Sequence, residues 1–211
     1  ASEEEWKLMT MRYYANISWI DDMMGRTLAE LKKKGILDNA IIIYTSDHGE
    51  MLGEHYYRFN KYNLYDASAR VPMIVSGSAL PKQFERGSVV NDPTENIDVL
   101  PTLLDIANIE QVIKLPGENL LKPITRKANF CALHELRGEA AFMWRTKDFK
   151  LILVLKRKEK AKDYLPSDII IGELYNLKED PNEWYDLFGT EQNFSIQEHY
   201  TQELIKHLNS L

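Results

Sequence analysis

The fold is most constrained by one apolar run, AIIIY at residues 40–44, which ends abruptly in TSDHGE at residues 45–50. A short β-branched run that is apolar on both faces predicts a buried parallel strand, and parallel strands belong to α/β sheets covered by helices. The run Val71–Val75 predicts a second strand, and Pro72 near its start favours an edge or first-residue position. The expected architecture is therefore an α/β sheet with flanking helices.

One helix is predicted before these two strands in the sequence and another after them. Apolar residues recur every three or four positions from Tyr13 to Leu31, which is the spacing of a helix with one apolar face. Gly35 favours the end of that helix, and residues Ile97–Ala107 predict another. The predicted α/β domain covers residues 1–130.

The pattern changes at about residue 130. Separate strand-like runs with charged linkers follow, at Ala141–Trp144, Leu151–Leu155 and Glu173–Leu177. They predict an antiparallel meander. An amphipathic helix is predicted at Ile196–Leu208, so residues 131–211 are expected to form a small antiparallel β subdomain with a C-terminal helix.

Composition excludes several classes of protein. Lysine and arginine total 26 against 32 for aspartate and glutamate, a net charge of −6, which argues against nucleic-acid binding because phosphate contacts need a basic face. No apolar stretch approaches the roughly 20 residues of a membrane span. The single cysteine, Cys131, forbids a disulfide within the chain.

One stretch of the chain is locally basic. Residues 145–163 carry eight basic and three acidic side chains. This composition predicts faces that are solvated or paired across neighbouring strands, or a surface near an anionic substrate.

The residues most suited to chemistry follow the first predicted strand. Asp47 and His48 lie just past its carboxyl end, where α/β sheets bind ligands, and Gly49 permits the backbone to leave the strand there. A carboxylate oxygen beside an imidazole nitrogen is a donor set that a divalent cation can use. His55 and Lys61 follow and could hold an anion near that cation. The same residues also fit a capped turn and two surface side chains.

The order of motifs TSDHGE, LGEH, Lys61 in K-x-x-x-Y-D, and RVP at residues 70–72 resembles the second half of the sulfatase family, which shares the alkaline-phosphatase-like α/β fold. Further motifs resemble the same family along nearly the whole chain: YYA at residues 13–15, NIDVLPTLL at 96–104, RTKDFKL at 145–151, ELYNL at 173–177 and EDPNE at 179–183.

The resemblance implies roles for four residues. Asp47 and His48 match ligands of a single divalent cation, and Lys61 matches the lysine that contacts the sulfate and the leaving oxygen. His55 lies in a segment that lines the pocket and is carried over as a second catalytic residue. Calcium is the metal expected from the family, whereas an imidazole ligand also suits manganese, magnesium or zinc.

The sequence departs from the family in its nucleophile. Sulfatases use a formylglycine made within a C/S-x-P-x-R motif, and this chain contains no such motif; Cys131 stands in FCALH. We therefore expect a C-terminal portion of a sulfatase, with the nucleophile supplied by an N-terminal half and with no turnover by the chain alone.

Two alternatives remain open at this point: a phosphonate monoester or phosphodiester hydrolase of the same superfamily, or a non-catalytic binding module of that fold. The expected partner is a sulfated small molecule or glycan, and the chain is expected to self-associate through an uncovered apolar face. The resemblance favours an exported protein, periplasmic, extracellular or lysosomal.

Overall fold

The computed structural model describes residues 2–81, 86–134, 139–156, 158 and 163–211. The chain forms two units. The N-terminal unit comprises Ala1–Lys61 and Arg70–Val90, and the C-terminal unit comprises Tyr62–Ala69 and Asn91–Leu211. These ranges differ from the predicted division into 1–130 and 131–211, because the segment 62–69 and the residues from 91 onward cluster with the C-terminal sheet.

The N-terminal unit begins with a long helix. Its elements are α1 (Glu3–Lys33), β1 (Ile42–Thr45), β2 (Met51–Leu52), α2 (Glu54–Tyr57), β3 (Phe59–Asn60) and β4 (Met73–Ser76). Ser2 starts α1 with a capping box, in which the Ser2 hydroxyl accepts from the Glu5 N–H at 3.2 Å and the Glu5 carboxylate accepts from the Ser2 N–H at 2.6 Å. Gly35 follows the helix with a φ of 70°, as the sequence predicts.

The apolar face predicted for α1 is present but only partly covered: Tyr13, Met24, Leu28 and Leu31 are half-buried, whereas Ile17 and Ile20 are exposed. No residue of α1 is buried. Large apolar side chains are exposed along most of its length: Leu8, Met11, Tyr14, Ile17, Trp19, Ile20 and Met23. The prediction of a helix is thus confirmed, whereas the described part of the N-terminal unit leaves much of the apolar surface of α1 exposed.

The prediction of buried parallel strands is wrong for this unit. Strand β1 pairs with β4 in antiparallel register, from Ile42 opposite Ser76 to Thr45 opposite Met73, and Tyr44 is exposed. An apolar pattern indicates which side chains are suited to burial. Whether two strands pair in parallel or antiparallel depends instead on the direction in which the chain returns to form β4 beside β1. Gly77 ends β4 with a φ of 128°, and a Cβ at this position would lie 2.2 Å from the Ala40 carbonyl oxygen.

The C-terminal unit is built on one antiparallel sheet of four strands in the order β5-β6-β7-β8. Its elements are α3 (Asp66–Ala69), α4 (Val99–Ile106), β5 (Asn129–His134), β6 (Glu139–Arg145), β7 (Phe149–Lys156), β8 (Ile169–Asn176) and α5 (Phe194–Leu208). The predicted meander and the predicted C-terminal helix are confirmed. Strand β5 is an addition that the sequence reading missed. No helix among the described residues is both long and apolar enough to cross a membrane.

Alternation along β7 gives the sheet two different faces. Leu151, Leu153 and Leu155 lie on one face and belong to the core, together with Leu174 of β8 and with three apolar residues of α5: Leu204, Ile205 and Leu208. Lys150 and Ile152 point to the opposite face, because successive side chains of a strand alternate. Lys150 is nevertheless fully buried.

A second buried ionic group stabilises the region before the sheet. Asp98, which precedes α4, accepts hydrogen bonds from Arg126 at Nη1 and Nη2, at 2.8 and 2.5 Å, and from the N–H groups of Glu95 and Glu118. Thr102 donates to the Asp98 carbonyl oxygen and accepts from the Leu120 N–H. The motif NIDVLPTLL therefore has a structural role in this unit.

Truncation of the core at Leu153 should destabilise the C-terminal unit. Leu153 is 0% exposed, whereas Ile171 on the neighbouring strand β8 is 54% exposed. We expect Leu153→Ala to lower the free energy of unfolding by about 2–5 kcal/mol and Ile171→Ala to change it by less than about 1 kcal/mol. Denaturant unfolding of both variants tests this, and equal losses would contradict the assignment of the core face.

Candidate functional site

The backbone turns immediately after β1 and brings Asp47 and His48 together. The His48 N–H donates to Asp47 Oδ1 at 2.9 Å, and the Ser46 hydroxyl donates to the His48 carbonyl oxygen at 3.0 Å. These local bonds replace the strand geometry that would send adjacent side chains to opposite faces. As a result, Asp47 Oδ2 and His48 Nε2 lie 3.4 Å apart.

Local hydrogen bonds orient both side chains. The hydrogen bond from the His48 N–H lowers the pKa of Asp47, which remains a carboxylate. His48 Nδ1 lies 2.8 Å from the Gly49 carbonyl oxygen, which can only accept, so Nδ1 donates in this bond and Nε2 is the nitrogen that carries the lone pair in the neutral imidazole. A carbonyl that orients an imidazole in this way is typical of metal-binding histidines.

The separation of the two donor atoms also fits a metal. Ligands at roughly 2.1 Å from an ion, in tetrahedral arrangement, lie about 3.4 Å apart. Asp47 has a side chain that is 82% exposed, so a cation could reach it. Among the described residues, no group of three or more His, Cys, Asp or Glu side chains could hold a metal ion. The pair therefore fits as two ligands of a coordination shell that needs more donors.

His55 lies in the turn between β2 and β3, and it is only 6% exposed to solvent. His55, Tyr56 and Tyr57 have φ angles of 51°, 65° and 63°, so α2 is a left-handed turn of three non-glycine residues. Such a conformation costs about 1–2 kcal/mol per residue, and strained backbone of this kind occurs often at functional sites. The catalytic role of His55 stays a prediction, and the structure shows that this residue is buried.

The hairpin is held against α1 by an indole ring. Trp6 lies above Gly53, where a Cβ would be 3.6 Å from the ring, and its ring centroid is 5.8 Å from that of Tyr57 and 6.4 Å from that of Phe59. Gly53 has a φ of 115°, which a side chain would disfavour. This contact supports the strained turn that contains His55.

Lys61 directly follows β3 and is partly exposed. Its N–H donates to the Asn60 side-chain oxygen at 2.8 Å, and Asn60 itself has a φ of 84° and pairs with Met51 of β2. The structure thus brings Asp47 and His48 into contact, while His55 lies in the following hairpin and Lys61 at its end.

A buried ionic cluster of four residues was missed in the sequence: Asp66, Arg145, Lys150 and Glu183. Lys150 Nζ donates to Asp66 Oδ1 at 2.6 Å and also to Glu183 Oε1, while Arg145 donates to Asp66 through Nε at 3.0 Å and Nη2 at 2.9 Å. Asp66 ends the motif K-x-x-x-Y-D and Glu183 ends EDPNE, so each lies in a segment that carries the family resemblance. In the sequence, the only indication of this cluster is that Asp66 and Glu183 belong to motifs that resemble the family.

The two carboxyl groups of the cluster differ in their titration. Burial opposes ionisation of Asp66, but the charges of Lys150 and Arg145 outweigh it and lower the pKa of this carboxyl. Burial raises the pKa of Glu183 despite its contact with Lys150. Asp66 is therefore the firmer anionic partner of the buried ammonium group.

Comparison with known proteins agrees with the motifs. A family model described as Sulfatase matches residues 2–109. The chain is 34% identical to an N-acetylglucosamine-6-O-sulfatase of Bacteroides thetaiotaomicron over 91% of its length, and 32% identical to arylsulfatase K of Bos taurus over 86%. It spans about a third of the length of these two relatives, 34% of each.

Solved structures match the fold. One, a complex with its substrate D-glucosamine-2-N,6-O-disulfate, is 32% identical with a TM-score of 0.77 and matches 92% of this chain and 39% of its own. A phosphonate monoester hydrolase of Agrobacterium radiobacter matches 99% of this chain and 42% of its own, with a TM-score of 0.83 at 23% identity, which shows likeness of fold alone. The predicted fold class is confirmed, and the chain belongs to the sulfatase family.

Proposed function

We propose that this chain forms part of an enzyme that hydrolyses sulfate esters and that its residues hold the metal and the leaving group. The observation that carries the proposal is the turn after β1, where Asp47 Oδ2 and His48 Nε2 converge to 3.4 Å with the imidazole oriented by a carbonyl. Family membership supports a metal-binding role for these residues over a capped surface turn.

Each residue has a distinct task in the proposed reaction. Asp47 and His48 would bind one divalent cation, calcium by family or manganese, magnesium or zinc by the imidazole ligand, and the bound ion supplies positive charge beside the sulfate oxygens. Lys61 would neutralise the negative charge that develops on the leaving oxygen, or donate a proton to it. The nucleophile, a formylglycine, is proposed to come from residues beyond those of this chain.

The proposed substrate is a sulfated amino sugar or a glycan that contains one. A relative at 34% identity is named an N-acetylglucosamine-6-O-sulfatase, and a neighbour at 32% identity was solved with a disulfated glucosamine. The full-length protein should release sulfate from glucosamine 6-O-sulfate. Turnover of a phosphonate monoester with no release of sulfate would instead favour phosphonate hydrolysis.

We predict that the chain alone binds divalent cations weakly. Asp47 and His48 supply two donors, whereas calcium takes about six to eight and zinc about four. Calorimetric titration with Ca²⁺, Mn²⁺ and Zn²⁺ should give dissociation constants weaker than roughly 0.1 mM.

Asp47→Ala removes one of the two proposed ligands, and it should abolish even the weak heat of binding. Asp38→Ala removes an acidic side chain that lies before β1 and should leave the heat unchanged. A dissociation constant on the order of micromolar or better would mean that the chain contains further ligands, and the assignment of a two-ligand site would then be wrong.

We also propose that the chain self-associates through the apolar side chains that are exposed along α1, because large exposed apolar patches tend to associate. Light scattering at two concentrations should give a higher mass at the higher concentration. Ile17→Glu should reduce the effect, whereas Asn16→Glu adds the same charge at the adjacent position and should reduce it less. A monomer at every concentration would contradict the proposal.

Lys61→Ala should damage turnover by the full-length enzyme far more than it damages folding. Removal of one group that stabilises developing charge costs on the order of 10²–10³ in rate, and the loss should appear in kcat as well as in kcat/KM. The loss should shrink for nitrophenyl sulfate, because a good leaving group develops less charge that needs neutralisation.

The melting temperature of the same variant serves as its control. A partly exposed lysine should change the free energy of unfolding by no more than roughly 0.5 kcal/mol. Small and equal rate losses with the poor and the good leaving group would remove Lys61 from the active site.

A further inference from the structure

The turn after β1 connects two antiparallel strand pairs of the N-terminal unit. In one pair, Thr45 at the end of β1 lies opposite Met73 at the start of β4. In the other, Met51 at the start of β2 lies opposite Asn60 at the end of β3. Residues 46–50, which include the proposed metal ligands, join the two pairs. The residues just before β4 and just after β3 therefore lie beyond the strand ends from which this turn emerges.

Arg70 lies beyond the end of the first pair. It precedes Met73 by three positions and belongs to the N-terminal unit, and Pro72 favours an extended backbone at the residue before it. Three residues of extended chain span at most about 11 Å. On the partner strand, Asp47 follows Thr45 by two positions, which span at most about 7 Å. Because the strands are antiparallel, Arg70 and Asp47 lie beyond the same end of the β1–β4 pair.

Lys61 lies beyond the end of the second pair. It directly follows Asn60, which is opposite Met51, and His48 precedes Met51 by three positions. Lys61 and His48 therefore lie beyond the same end of the β2–β3 pair. The two strand pairs thus bring the backbones of two cationic residues to the strand ends that flank the turn with the proposed metal ligands.

The charge of Arg70 is not neutralised within the part of the chain that the structure describes. Arg70 is exposed, and no described carboxylate forms an ion pair with it, since Asp47 pairs with His48. Arg26 of the same unit, by contrast, lies 2.8 Å from Asp22. A guanidinium group presents its donors in a planar fork that matches the oxygens of a tetrahedral anion. Arg70 is therefore suited to bind such an anion.

We propose that Arg70 binds the sulfate group of the substrate, beside the cation that Asp47 and His48 would hold. Arg70 reaches the site from the β1–β4 pair and Lys61 reaches it from the β2–β3 pair. Lys61 is assigned above to the leaving oxygen, whereas Arg70 contacts terminal sulfate oxygens through its guanidinium fork. This inference rests on the proposed function, because it takes a sulfate ester as the substrate.

Binding at Arg70 can be measured without any turnover. Phenylglyoxal modifies accessible arginine side chains, and mass spectrometry of the digested full-length protein gives the rate at each arginine. Inorganic sulfate, added in a buffer that contains Ca²⁺, should slow the modification of Arg70 about tenfold when its concentration is about ten times its dissociation constant. Failure of sulfate to protect Arg70 would overturn the proposal.

Arg86 is the matched control within the same protein sample. It is exposed, and its Nη2 donates to the Gly77 carbonyl oxygen at 3.5 Å. Gly77 follows Ser76, which lies opposite Ile42 at the other end of the β1–β4 pair. Sulfate should leave the modification rate of Arg86 unchanged. Equal protection of Arg70 and Arg86 would mean unspecific binding of the anion and would also overturn the proposal.

Kinetics of the full-length enzyme test whether this anion is the substrate. Loss of hydrogen bonds to a charged group should make Arg70→Gln lower kcat/KM for glucosamine 6-O-sulfate by about 10- to 100-fold, and inhibition by inorganic sulfate should weaken in the same variant. Arg70→Lys keeps the charge but loses the fork, so it should recover only part of the loss. Arg86→Gln should have near-wild-type kinetics.

The melting temperature of Arg70→Gln should stay close to that of the wild type, because the side chain is exposed. Equal losses of kcat/KM in Arg70→Gln and Arg86→Gln would overturn the role of Arg70 and leave the proposed function intact. Absence of sulfate ester turnover in the wild type would refute the proposed function, and with it the assignment of the substrate to Arg70, whereas selective protection by inorganic sulfate would still establish an anion site at Arg70.

Discussion

The structure of the C-terminal unit depends on one buried cation. Lys150 lies on β7, an inner strand of a sheet whose other face forms the apolar core, and strand alternation directs its ammonium group away from that core. An isolated charge cannot be buried without a large loss of solvation. The chain therefore needs anions on this face, and Glu183 and Asp66 supply them from two distant parts of the sequence.

This requirement explains why one short segment belongs to the C-terminal unit. Asp66 comes from a short segment that the chain inserts into the C-terminal unit between two stretches of the N-terminal unit, and Lys61 is the last residue before that insertion. Asp47 and His48, by contrast, are brought together by their own backbone and need no distant partner.

Much of this fold was predictable, because its signals are local. Helix α1, the antiparallel strands and α5 follow from apolar spacing and from capping residues such as Ser2 and Gly35. The direction of β1 was not predictable, since an apolar run does not encode which strand it pairs with. The cover of α1 was not predictable either, because a periodic pattern indicates a face suited to burial and not the layer that buries it.

The sequence by itself determined the family, the ordered motifs and the adjacent carboxylate and imidazole at residues 47 and 48. Only the tertiary structure decided that His55 is buried in a left-handed turn and that Lys150 meets Asp66, which lies 84 positions away. The physical reason is the range of the interactions. Turns, caps and helix faces depend on neighbouring residues, whereas burial and the neutralisation of a buried charge depend on which distant segments the fold brings together.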